Sequence, residues 1–216
     1  MIMKKQKTKR KGEFEMPGWM ECFWKRKSCG KKGCPVCGRI EKDHEKNIER
    51  GENPDEMKFA LDDLGKHFKE TLDLVKKDAE KMGIDITNID DIQAPPEPEK
   101  YPLCNEVVKW RDSVYSLIEN KELPLWAYTE AADDLFWYSN TICAKTYRQF
   151  CNKWQIEKGD KFGDFDYEYT KYVLSECFDI IQKSISELIP TCTEDKMKLM
   201  FVSDSALKLK AKVLKI

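Results

Sequence analysis

The residues of this chain whose type and spacing most directly imply chemistry are Cys22, Cys29, Cys34 and Cys37, four thiols within one short N-terminal stretch. Thiolates are soft ligands, and four of them can close a tetrahedron round one ion with no position left for water or substrate. Such a site stabilises a local fold and does not activate a nucleophile. Zinc is the expected ion. Iron, as a single ion or an iron–sulfur cluster, is the alternative that four thiolates also suit.

The segment Cys34-Pro35-Val36-Cys37-Gly38 resembles the zinc knuckle of zinc ribbons and the metal-binding turn of rubredoxins, over these five residues only. In such a turn two thiolates reach one ion, Pro35 preorganises the bend, and Gly38 supplies a positive φ that aims backbone N–H groups at sulfur. Cys22 and Cys29 complete the set. Their separation is wider than a knuckle's, which keeps His44 open as a substitute ligand.

Round these cysteines, Lys25, Arg26, Lys27, Lys31, Lys32 and Arg39 alternate with Trp19, Phe23 and Trp24. Cations that neutralise phosphates beside aromatic faces that stack on bases are the ingredients of single-stranded nucleic-acid binding, with RNA the commoner target of small zinc modules. Trp24 is the expected stacking residue, while Trp19 and Phe23 are expected to roof the metal. The competing reading is that the lysines only keep the module in solution.

Elsewhere the chemistry is thinner. There is no Glu-x-x-His pair for a di-iron centre, no Gly-rich phosphate loop, and the two histidines, His44 and His67, carry no signature linking them to a nucleophile. His67 is expected to face solvent. One polar strip recurs at three- and four-residue steps: Glu130, Asp134, Trp137, Thr141, Lys145 and Arg148, with Glu176 expected to pair with Lys145 or Arg148. A salt-bridged seam that fixes helix register is the expected meaning, and a polar enzyme site the alternative.

The elements that must position these groups follow from composition and periodicity. An apolar share of 41% over 216 residues is enough for one real core. Residues 1–40 hold twelve Lys and Arg against three Glu, which leaves residues 41–216 with ten more acidic than basic side chains. A basic head and an acidic body predict different neighbours. Nine cysteines, an odd number with five of them scattered, fit a reducing compartment. The expected location is therefore intracellular and cytoplasmic, or nuclear if the Lys4–Lys11 run is an import signal.

Residues 1–12 read as a basic disordered tail and 13–52 as the cysteine module, with a possible hairpin round the cysteines. A long charged helix follows over 53–83, with Asn53 as its N-cap and Gly83 at its end. Its apolar residues, Met57, Leu61, Leu64, Phe68, Leu72, Val75, Ala79 and Met82, form one narrow stripe, suited to packing along a single seam on the bundle or on another copy. Residues 84–102 are Pro-rich and read as a linker. Residues 103–216 carry four amphipathic patterns joined by short links, the last capped by Thr191 or Thr193. The fold expected is all-α: an antiparallel bundle of four helices plus the long helix, with the small four-cysteine zinc-knuckle module in front.

Three functions fit this organisation. One is a non-catalytic zinc-binding accessory protein whose basic module binds nucleic acid and whose acidic bundle contacts a protein. Another is an interaction scaffold with purely structural zinc, assembling through residues 53–83. The third is an enzyme with a polar site within the helical bundle.

Overall fold

The structure is a computed structural model and describes residues 18, 20–54, 56–83, 94–119, 122–159, 162–192 and 195–216. The basic tail, Trp19, the isoleucine-rich stretch of the linker and Thr193 lie outside the described residues. The described chain is all-helical, with six α-helices, no strand, and the four cysteines gathered near its N-terminus. No helix among the described residues is long and apolar enough to cross a membrane. The chain divides into two compact units, Gly18–Ala94 and a second that contains Pro95–Ile216.

In the first unit a 3-10 turn, Met20–Phe23, leads through two loops into α1 (Cys37–Glu49), followed by α2 (Met57–Met82). Helix α1 stands where the sequence suggested a hairpin, and the reason it escaped notice is physical. Its only large apolar residues, Ile40 and Ile48, are 52% and 64% exposed, so it has no apolar stripe to betray it. What holds it to α2 is polar: Arg39 Nη2 donates to Glu70 Oε2 at 2.5 Å, His67 Nε2 meets Asp43 Oδ2 at 2.9 Å, and Asn47 Nδ2 donates to Asp63 Oδ2 at 2.8 Å. Residue numbers rise along α1 as they fall along α2, so the two helices run in opposite directions. His67 is thus a seam residue and not the solvent-facing one expected. Helix α2 begins three residues later than the Asn53 cap implies: Glu56 precedes it without a side-chain cap, while Asn53 O accepts from Glu56 N at 3.1 Å in the turn before. Gly83 terminates it with φ 68°, a left-handed conformation that only glycine adopts without strain.

In the second unit the proline segment lies on the protein and is not a bare spacer. Tyr147 Oη donates to Pro96 O at 3.2 Å, and the Tyr101 ring stacks on Phe150 at 4.2 Å. Pro102 then opens α3 (Pro102–Tyr115), where its missing N–H costs nothing. Thr129 caps α4 (Glu130–Glu157), its hydroxyl accepting from Ala132 N at 3.3 Å. Helix α5 (Phe162–Leu188) packs along α4, and α6 (Lys196–Val213) packs on α5 and α3. The N-cap position of α6 belongs to Asp195, not to Thr191, whose hydroxyl donates to Leu188 O at 2.9 Å at the end of α5. Val107, Val114, Leu117, Leu135, Ile142, Leu174, Phe178, Ile181, Leu199 and Val202 fill one core at 0–1% exposure. Trp110 enters it with its indole N–H spent on Val202 O at 3.1 Å.

Candidate metal centre and its cationic loops

Each thiol is delivered by a different local device. Cys22 sits in the Met20–Phe23 turn, closed by Trp24 N and Lys25 N donating to Glu21 O at 3.3 and 3.0 Å. Cys29 precedes Gly30 and is approached by Lys31 N at 3.5 Å, a backbone N–H aimed at sulfur. Gly30 and Gly33, with φ of 60° and 81°, supply the left-handed turns that fold the loop back. The knuckle pattern assigns that freedom to Gly38, which is instead helical, its N–H donating to Cys34 O at 2.9 Å as the chain enters α1. Cys37 is the first residue of α1, where the helix dipole favours a thiolate.

The four sulfur atoms lie within 4.8 Å of one another. Cys29 and Cys37 are 3.7 Å apart, as are Cys22 and Cys34. A bonded pair would stand at about 2.05 Å, whereas sulfurs at tetrahedral corners about 2.3 Å from one ion are roughly 3.8 Å apart. The cluster therefore has the dimensions of a mononuclear site with four sulfur ligands, and a polynuclear iron–sulfur cluster would spread its ligands wider. His44 is exposed and outside this group.

Proton affinities among the four thiols are split. The Ser28 hydroxyl, together with a Cys29 backbone group, holds Cys37 down at about 6, while burial, with hydrogen bonds from the other thiols, pushes Cys22 up to about 12. Ser28 is a residue that sequence reasoning missed, since a lone serine in a basic loop carries no spacing signal. The scattered cysteines behave differently: burial raises Cys104 and Cys143 to about 11 and Cys177 to about 12, so they remain protonated thiols packed as small apolar groups.

The fit of a metal to this unit also rests on its poverty of core. Among its described residues the buried apolar side chains are Trp24, Cys34, Cys37 and Ala79. So small a set cannot hold a fold by burial alone, and a cross-link through one ion would supply what is missing.

The cations expected at a nucleic-acid surface separate on inspection. Lys25 pairs with Glu21 at 2.7 Å, its ammonium 5.5 Å from the Trp24 ring centre, and Arg39 is engaged by Glu70. Arg26 is half-buried. Lys27, Lys31 and Lys32 stand exposed on the loops that carry Cys29. Trp24 and Phe23 take the opposite exposures from those expected: Trp24, at 3% exposure, is closed to a stacking base, whereas Phe23 is 64% exposed. Their adjacency in sequence concealed which of the two the turn would direct inward.

The polar strip of the second unit resolves into separate contacts. The carboxylate that meets Arg148 is Asp166 Oδ2, at 2.6 Å, and not that of Glu176. Lys145 lies with its ammonium 4.9 Å from the Tyr169 ring centre, and burial lowers its proton affinity. Glu130 and Asp134 belong to the first two turns of α4, whereas Lys145 and Arg148 lie beyond its midpoint, so the strip is not drawn into one constellation. Comparison of the chain with family models, curated proteins and solved structures gave no match.

Proposed function

We propose that this chain is a non-catalytic, zinc-stapled accessory protein whose cysteine loops hold the phosphate backbone of single-stranded nucleic acid, RNA in particular. The observation that supports it best is the placement of Lys27, Lys31 and Lys32 at exposed positions on the loops shaped by the four thiols, close in sequence to an exposed Phe23. Rigid loops lower the entropy lost when such cations engage a strand, and the phenyl ring offers a base one stacking face. Zinc is the ion assigned because a closed thiolate shell meets its tetrahedral preference and needs no redox change. Mononuclear iron would declare itself by colour.

The remaining parts of the reading concern the other unit. Tyr101 meets Phe150 while Tyr115 meets Asn140, Asp179 meets Lys210 while Gln182 meets Ser203, and Glu106 meets Lys212 while Trp110 meets Val202. These registers support reading the second unit as an antiparallel four-helix bundle, which we take as a platform for a protein partner in a reducing, intracellular setting.

Fluorescence anisotropy with a labelled single-stranded RNA, over a salt series, tests the function. The wild type is expected to bind with an affinity that falls steeply as salt rises. Lys27→Glu/Lys31→Glu/Lys32→Glu is expected to bind at least about tenfold more weakly, with a salt slope shallower by roughly two to three, at unchanged helicity and metal content. No binding by the wild type at low salt would overturn the reading.

A further inference from the structure

Helix α2 presents an inversion of the usual arrangement, and it is independent of the nucleic-acid reading. At about 100° per residue, Asp63, His67 and Glu70, which meet α1, fall within roughly 60° of helix circumference. Leu61, Leu64, Phe68, Leu72 and Val75 fall within about 80° of one another, centred roughly 130° away from that seam. The polar face is the one used inside the unit, and the apolar stripe points elsewhere. Its members are 57%, 64%, 66%, 44% and 52% exposed. Ala79 is the one member of the described stripe that is buried.

We propose that this stripe is a homodimer seam, covered by α2 of a second copy in a parallel, in-register coiled coil. Spacing supports the form: the exposed residues Leu61, Leu64, Phe68, Leu72 and Val75 follow one another at steps of three and four and keep one side of the helix for two heptads. Charge supports the occupant. Helix α2 carries six lysines against six carboxylates, so a second copy meets no net repulsion. Charge also selects the direction. Lys58, Lys69 and Lys76 line one flank of the stripe, and Thr71 and Asp78 the other. Antiparallel pairing would set the lysine flank of one copy against the lysine flank of the next, whereas parallel pairing sets it against Thr71 and Asp78.

Sedimentation equilibrium of the full chain, loaded with zinc, provides the test. A mass approaching twice the 25.4 kDa of one chain is expected at micromolar concentrations. Leu64→Glu/Phe68→Glu should be monomeric with unchanged metal content and helicity. Phe201→Glu, which removes an equally exposed apolar side chain from α6, should leave the dimer intact. Under mild oxidation, Leu64→Cys should give a covalent dimer and Leu74→Cys, on the seam side of α2, should not. A wild type that is monomeric throughout, its stripe then being covered by its own chain or by another protein, overturns the proposal. A dimer that survives Leu64→Glu/Phe68→Glu, or one in which Leu64→Cys fails to cross-link, overturns it equally.

Discussion

At the scale of single residues, the chain assigns its polar side chains to two very different tasks. Round the cysteines, the Ser28 hydroxyl tunes Cys37 and the Lys31 backbone N–H reaches Cys29. In the second unit Thr146 is 0% exposed, yet its hydroxyl has no hydrogen-bond partner among the described residues. A hydroxyl desolvated without compensation costs about 1–3 kcal/mol. Thr146→Val keeps the shape and removes the demand, so it should raise the unfolding free energy by about 1 kcal/mol, read as a higher urea midpoint at unchanged slope. A lower midpoint would show that the hydroxyl is satisfied and contributing. Residue identity alone could not reveal this, because Thr146 also occupies a regular position on the apolar face of α4. Nor could it separate Trp24 from Phe23: both are aromatic neighbours of Cys22, and only the turn closed on Glu21 O decides which one is buried.

At the scale of elements, legibility followed apolar periodicity. Helices α2 to α6 each carry a stripe at three- and four-residue steps, and each is visible in the sequence for that reason. Helix α1 carries none, and its cohesion with α2 is a polar seam centred on Asn47, which is 1% exposed, donates to Asp63 and accepts from Arg50. Asn47→Ala should therefore destabilise the first unit by about 1–2 kcal/mol, and hydrogen exchange should localise the loss to α1 and α2. The seam is also sensitive to acid. The Asn47 amide, with Lys66, holds the Asp63 carboxyl below the usual carboxylate range. Its contribution is thus fully present above the pKa of an unfolded aspartate and is lost as pH falls through the lower, folded value. Protection of the α1 and α2 amides should fall over that window in the wild type, and less so in Asp63→Asn. Equal acid sensitivity in the two proteins would remove Asp63 from the account.

At the scale of the whole molecule, the two units stand at opposite ends of a range of core size. The second buries a continuous apolar interior built from four helices; the apolar side chains that the first buries, among its described residues, are a tryptophan, an alanine and two thiols. The cysteine spacing by itself announces a candidate metal site, because thiolate chemistry is local and the four thiols are close in sequence. The seam and the outward stripe could not be read that way, since both depend on which face α1 takes. Joined through α2, two copies would carry two sets of cationic loops, and a strand could engage both at once. All of this presupposes that the first unit is organised by one closed metal centre. X-ray absorption at the zinc edge, on protein purified without added metal, tests that directly. The account predicts one zinc per chain surrounded by four sulfurs at about 2.3 Å and no nitrogen or oxygen ligand. Zinc well below one per chain, or a first shell containing nitrogen or oxygen, would contradict it.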